Sequence, residues 1–180
     1  MNQPPEHSPP QAEGRPAIPP QGVPEAAPEA PTETWRGIVV SSAGQRFFVP
    51  TEALLAIEKD LEIYPFPLGP SWLAGVARWR LGPVSVARLA DFAGGSESTP
   101  STGERLLVLS GSGGEPLGVL VGGIEGSRSV PPTPRSPSEV GLDSLPEALV
   151  AEAVTSNEEW LPVLSGTNLE KFLNAQAEAS

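Results

Sequence analysis

Apolar residues in this chain gather in short runs broken by turn-forming residues, rather than in the three-and-four spacing of long helices. Ile38-Val39-Val40 predicts a short strand, Ser41-Ser42-Ala43-Gly44-Gln45 a turn, and Arg46-Phe47-Phe48-Val49 the returning strand of a hairpin. Pro50 then occupies the place of a first helical residue or a strand terminator. Residues 51–57 follow, with Leu54, Leu55 and Ile57 on an apolar side, and are read as two helical turns. Pro65, Pro67 and Pro70 punctuate a loop, and Ser71-Trp72-Leu73-Ala74 is read as one further helical turn.

The second half alternates strands and turns. Residues 75–80 and 83–88 predict paired strands around Leu81-Gly82, and residues 89–92 a short apolar turn. Residues 94–103 are a polar Gly/Ser/Thr-rich loop. Residues 105–110 and 117–121 predict two apolar strands joined by Gly111-Ser112-Gly113-Gly114-Glu115-Pro116, with residues 124–130 extending the same sheet. Residues 130–141 carry four prolines and read as an irregular connection. Residues 148–155 and 160–165 suit a last hairpin. Residues 166–177 place Leu169, Phe172 and Leu173 at helical spacing, with Thr167 or Asn168 as the N-cap of a C-terminal helix. Many short strands with Gly/Pro turns point to one or two small β-barrels.

Residues 1–33 break from this pattern. They hold ten prolines and five glutamates against one basic residue, Arg15, and beyond Met1 their only large apolar residues are Ile18 and Val23. Such a segment cannot bury enough apolar surface to offset its backbone entropy, so it is expected to be a disordered acidic tail with polyproline II character. The globular domain is expected to span residues 34–180. The N-terminus has neither a basic nor an apolar leader region. No run approaches the roughly eighteen apolar residues that a bilayer span needs. A cytoplasmic protein without membrane insertion is the expectation.

Charge narrows the chemistry. The chain of 180 residues has 22 acidic against 11 basic residues, a formal net charge of −11. That balance argues against a phosphate-backbone binder, so no nucleic-acid partner is expected. There is no cysteine, and the only histidine, His7, lies in the tail. Thiol nucleophiles, disulfides, thiolate metal sites and histidine-based catalysis are therefore removed, and neither a cofactor nor a metal is expected. The Gly111–Gly114 stretch lacks the lysine of a phosphate loop and reads as a hairpin turn. Glu58, Asp60 and Glu62 would line one face of a strand and read as a solvated face. Arg78 and Arg80 share one strand face with Trp79 on the other, in a chain that is otherwise acidic. Arginine and tryptophan dominate interface hot spots, yet a core Trp79 flanked by surface arginines is the plainer reading.

At this stretch the sequence resembles a known family. Residues 65–80, ending Ala77-Arg78-Trp79-Arg80, resemble the segment of CheW-like coupling domains that ends in Asn-Leu-Arg-Gly, and Val84-Ser85-Val86-Ala87-Arg88-Leu89 resembles the Val-Pro-Ile-Val-Asp-Leu that follows. Upstream, Trp35-Arg36-Gly37-Ile38 and Arg46-Phe47-Phe48-Val49 resemble the opening hairpin. Downstream, residues 105–110 and 117–121 resemble the next strand pair, and Trp160-Leu161-Pro162-Val163-Leu164 with its helix resembles the ending. The resemblance covers about residues 35–175. The opening Trp-x-Gly-Ile, the RFFV strand and the late Glu-Trp-Leu look most similar to the PilI type, the adaptors of pilus-based (twitching) chemosensory systems. Departures stand at Ala56, Arg78, Leu81, Ser85, Arg88 and Gly122. They point to a divergent member or an unusual partner.

The resemblance implies an all-β fold with short helices: two intertwined five-stranded SH3-like β-barrels plus a C-terminal helix. It implies a non-catalytic adaptor that couples the cytoplasmic tip of a methyl-accepting chemoreceptor to the regulatory domain of a CheA-type histidine kinase. Arg80 falls on the family's receptor-contact arginine; Leu54 and Ile57, with Val84 and Leu120, are the further partner-binding candidates. A CheW-like adaptor of flagellar chemotaxis, or of a non-motility signalling system, is the alternative. A small β-barrel enzyme or ligand-binding domain, built on Asp60, Glu62, Arg78 and Arg80, is the distant one.

Overall fold

The apolar runs become strands that bury both of their faces. The computed structural model describes residues 33–60, 62–80, 82–92, 103–142 and 144–178. The proline-rich segment and most of the 94–103 loop lie outside the described residues. Eleven strands and one α-helix are present among them. β1 (Trp35–Ser42) and β2 (Gln45–Pro50) form the expected hairpin, and β2 ends at Pro50. The chain then leaves this sheet. It builds a six-stranded sheet from β3 (Leu54–Glu58), β4 (Ile63–Tyr64), β5 (Leu73–Trp79), β6 (Gly82–Arg88), β7 (Arg105–Ser110) and β8 (Pro116–Val121). The spatial order is β3-β7-β8-β6-β5-β4, antiparallel except for the parallel β6–β8 pair.

β9 (Gly123–Val130) returns to the first sheet and pairs with β1, giving the order β2-β1-β9. Residues 124–130 therefore extend not the sheet of β7 and β8, as the sequence pattern predicts, but the other one. The Gly122 bend redirects the chain, and Glu125 bulges out of register between the Val39–Gly126 and Val40–Ile124 pairs. β10 (Ala153–Ser156) and β11 (Glu159–Pro162) form the last hairpin, shorter than expected because Leu149 and Val150 both donate to the Pro146 carbonyl in a turn. This hairpin joins the first lobe through a Phe48–Val163 bridge and the Leu164 N–H to Phe48 carbonyl bond. The first lobe thus draws on five strands, as the resemblance implies, and the second on six.

Three apolar clusters explain the runs. In the first lobe Val39, Phe48, Val130, Val154, Leu161 and Val163 pack together, with Trp35 against them. In the second lobe Ala74, Ala77, Val86, Leu106, Val108 and Leu120 do the same. Between the lobes lies the largest cluster, with Val40, Phe47 and Val49 from β1–β2, Leu107, Leu109, Val119 and Val121 from β7–β8, and Leu169, Phe172 and Leu173 from the helix. Successive strand residues point to opposite faces, so Val39 and Phe48 serve one core while Val40 and Phe47 serve the next. α1 (Gly166–Glu178) lays its apolar stripe on this shared core, where Phe172 meets Phe92 edge-on at 4.7 Å. Its first turn is bonded by Ser165, whose Oγ accepts from the Asn168 N–H at 3.3 Å, so neither Thr167 nor Asn168 is the cap.

Two short segments differ from their predicted helical turns. Residues 51–57 make a single 3-10 turn (Thr51–Ala53) and then β3, because backbone pairing with β7 outweighs the propensity of a segment too short for an independent helix. Ser71-Trp72 is a turn that passes directly into β5 at Leu73.

Gly37 shows how tight the hairpin packing is. A β-carbon there would sit 2.4 Å from the Val49 carbonyl oxygen and 2.5 Å from the Phe48 ring. Neither can retreat, one being backbone and the other fully buried. Gly37→Ala is expected to destabilise the fold by about 1–3 kcal/mol through overpacking. The urea midpoint of the variant against the parent measures it.

Candidate partner-docking surface

The six-stranded sheet curls until its two ends approach. The Trp79 indole N–H, on β5, donates to a Glu58 carboxylate oxygen on β3 at 3.1 Å. β3 and β4 are the two sheet edges, so this bond spans the seam. Trp79 packs against the second lobe's core while its polar atom reaches the seam, which combines the core reading with a positioning role. Glu58 is consequently partnered, as is Glu62, which accepts from Tyr64; the three carboxylates do not line one strand face, because the chain bends after Glu58.

The structure sorts the five sequence candidates into two groups. Ile57 precedes Glu58 and Arg80 follows Trp79, so the seam bond brings their chain segments together, and both are exposed. Leu54 packs against the shared core, whereas Ile57 is exposed. A shift of register between Leu54 and Ala56 sets Leu54 opposite Leu109 and Ile57 opposite Leu107, so the two lie on the same side of the sheet and differ in burial rather than in face. Val84 (1% exposed) and Leu120 (8%) are interior residues of the second lobe, beneath the surface rather than on it.

Several exposed apolar residues on this lobe had no place in the sequence reading. Leu55, at the shift of register in β3, and Ile57 are 44% and 43% exposed. Tyr64, Phe66 and Leu68 stand out from β4 and the proline-punctuated loop after it, Leu68 almost wholly exposed. A period-two reading of residues 54–58 would have found Leu55. A groove of about 380 Å³ runs beside Tyr64, floored by Val76, Ala77, Gly82 and Pro83 with Arg78 at its side. Gly75 shapes this edge. Its φ is +146°, and a β-carbon would lie 2.1 Å from the Tyr64 carbonyl oxygen, so only glycine lets β4 approach β5 here. Arg78 and Arg80 are exposed and make no ion pair among the described residues. The surface therefore combines apolar side chains with two uncompensated cations, the composition of a protein interface rather than of a reaction centre.

A chain that leaves one β lobe, builds a second and returns to finish the first, with a helix over their common core, is a double-lobed β domain. The chain belongs to the CheW-like domain family, which matches residues 36–173. Among solved structures, the scaffolding protein TtCheW from Thermoanaerobacter tengcongensis is similar at a TM-score of 0.68 and 17% identity, covering 76% of this chain and 92% of that one. That likeness is one of fold. No curated protein matches the chain. Among the described residues no helix is long and apolar enough to cross a membrane.

The Tyr64 hydroxyl donates to a Glu62 carboxylate oxygen at 2.8 Å; that bond first, and the carboxylate's charge second, hold the phenol above its ordinary value of 10.0. Tyrosinate formation, followed by absorbance during an alkaline titration, is expected above that value. Because Tyr64 is the only tyrosine in the chain, the signal has one source. Glu62→Gln removes the negative charge and is expected to bring the transition down toward 10.0.

Proposed function

We propose that this protein is a non-catalytic chemosensory adaptor that couples methyl-accepting receptors to a CheA-type histidine kinase. The observation that carries the proposal is membership of the CheW-like domain family across residues 36–173. The exposed Leu55, Ile57 and Arg80 at the seam of the second lobe support it. Receptor recognition is helix-in-groove: the helical hairpin of the receptor tip lays apolar positions on Leu55 and Ile57, and Arg80 pairs with a carboxylate of that hairpin. Leu54, Val84 and Leu120 act from below, holding β3, β6 and β8 in place. The kinase regulatory domain, itself CheW-like, docks barrel to barrel on another face. Chemistry is not required; the adaptor holds receptor and kinase at fixed geometry so that receptor state biases kinase output.

The pathway we assign is pilus-dependent (twitching) motility, on the PilI-like features at Trp35-Arg36-Gly37-Ile38, Arg46-Phe47-Phe48-Val49 and Glu159-Trp160-Leu161. The working location is the cytoplasm, at receptor arrays on the inner face of the membrane. Residues 1–33 serve as a tether outside the domain of residues 34–180. Deleting them is expected to leave the thermal transition nearly unchanged, and scanning calorimetry of the two chains decides the point.

Co-elution tests the adaptor role. The protein is expected to bind the regulatory domain of one CheA-type kinase of its own organism saturably, and a receptor-tip hairpin in the same complex. Arg80→Glu and Ile57→Asp are expected to weaken receptor binding by about tenfold or more while kinase binding and thermal unfolding stay at the parent level. Unchanged receptor affinity in both folded variants would remove the seam as the contact. No kinase binding at all would remove the coupling function.

A further inference from the structure

The outer face of β4, β5 and β6 carries the groove of about 380 Å³ beside Tyr64. Strand register builds it. Tyr64 stands opposite Val76, Val76 opposite Ser85, and Arg78 opposite Pro83. Opposed residues share a face and faces alternate along a strand, so Tyr64, Val76, Arg78, Pro83 and Ser85 lie on one side of the sheet. Burial agrees. Tyr64, Arg78, Pro83 and Ser85 are exposed, whereas Ala77 and Val84 are buried and Ile63 packs against the second lobe's core. Arg78 makes neither an ion pair nor a hydrogen bond among the described residues. Glu62, just before β4, accepts from the Tyr64 hydroxyl instead. Three of the five large apolar side chains exposed among the described residues, Tyr64, Phe66 and Leu68, fall on β4 and the loop that follows it. Pro65, Pro67 and Pro70 restrict that loop. Two turn bonds close it, from the Gly69 N–H to the Phe66 carbonyl at 3.1 Å and from the Leu73 N–H to the Pro70 carbonyl at 2.9 Å. The loop thus holds its apolar side chains out with little further ordering left to a binding event.

An apolar wall beside an unpaired guanidinium is complementary to an apolar side chain carried next to a carboxylate. We propose that this groove docks a short acidic segment of a partner protein, seating a large apolar side chain against Tyr64, Val76 and Pro83 and a carboxylate on Arg78. The volume falls within the roughly 300–1,000 Å³ of sites that enclose small ligands, which suits a few side chains and not a folded domain. Strand addition is not the mode. β4 has two residues, and Pro65 and Pro67 follow it with no N–H to donate, the usual guards of a sheet edge. Edge-to-edge pairing with a second copy of this chain is disfavoured on the same ground. The receptor reading rests on the seam at Ile57 and Arg80, and the groove on the outward face of β4–β6, so each can fail without the other.

The test titrates the full chain, labelled with nitrogen-15, with an end-blocked hexapeptide of sequence Ala-Glu-Leu-Phe-Glu-Ala. Three relatives accompany it, with both Glu replaced by Gln, both Glu replaced by Lys, or Leu and Phe replaced by Ala. Saturable amide shifts centred on Tyr64, Val76, Arg78 and Ser85 are expected with the first peptide. The Gln and Ala relatives are expected to bind about fivefold or more weakly, and the Lys relative more weakly still. Tyr64→Ala and Arg78→Glu, both at exposed positions, are expected to lose binding by a similar factor at unchanged thermal unfolding, and Arg78→Glu to prefer the Lys relative. Ile57→Asp, at the seam, is expected to bind the first peptide like the parent. No saturable response, shifts centred on Leu55 and Ile57, equal affinity for the Glu, Gln and Lys peptides, or binding that persists in both groove variants would overturn the proposal. So would loss of kinase binding in both variants without any response to peptide, which would give this face to the folded regulatory domain.

Discussion

The fold depends on strands with no solvent face. β1 and β2 send Val39 and Phe48 into the first lobe's core and Val40, Phe47 and Val49 into the shared one, while β7 and β8 divide their residues in the same way between the second lobe and the shared core. Each of these strands is packed on both sides, so a change in its register would move two cores at once. The two lobes are consequently coupled by side chains only one residue apart, with no linker or hinge between them. Truncating Phe48 alone would cost about 3–5 kcal/mol by cavity formation, and the backbone shift that follows would reach Phe47 on the far face.

Outer strands of the second lobe behave differently. β3 and β4 lie at the sheet ends, and Leu55, Ile57 and Tyr64 stand exposed on them. The result is a rigid interior under an apolar, partly cationic surface, with Leu55 and Ile57 on one edge and Tyr64, Phe66 and Leu68 by the other. Sheet edges are usually guarded by charge or by very short strands. β4 is only two residues long, and β3 ends at Glu58, whose carboxylate is engaged by Trp79. The seam bond therefore holds the curl of the sheet while leaving Ile57 and Arg80 free to meet another molecule. In the first lobe the corresponding duty falls to Arg46, which pairs with Glu125 at 2.6 Å and also with Glu159, linking β2 to β9 and β11. Being partly exposed, this cluster contributes modestly, of order 1 kcal/mol or less per pair.

Most strands were legible in the sequence because both-sided burial leaves continuous apolar runs such as Ile38-Val39-Val40 and Leu106-Leu107-Val108-Leu109. Turn chemistry was legible as well: Gly113 and Gly114 take positive φ at the β7–β8 turn, and so does Gly82 at the start of β6. What local pattern could not supply was partner choice. Nothing in residues 124–130 says that they pair with β1, 85 or so positions earlier, rather than with β8 beside them. Residues 51–57 satisfy a helical and an extended spacing alike, and only the β7 edge decides between them. That single ambiguity carried into the candidate surface, where Leu55 was overlooked. Arg80 was found through the family resemblance.

The return of the chain to its first lobe has a consequence during synthesis. β2 ends at Pro50, and its sheet gains its next strand only from Gly123, so 73 residues must emerge before β1 acquires its second neighbour. At roughly 5–20 residues per second that interval is about 4–15 s, during which Phe47, Phe48 and Val49 have no completed core to enter. The pairing that ends it is long-range, so closure is slow relative to the local hairpins. A ribosome-bound nascent chain of this protein would thus present a sticky apolar hairpin to the folding machinery while the 73 residues from β2 to β9 are made, and the demand for chaperone protection is set by where β9 lies in the gene.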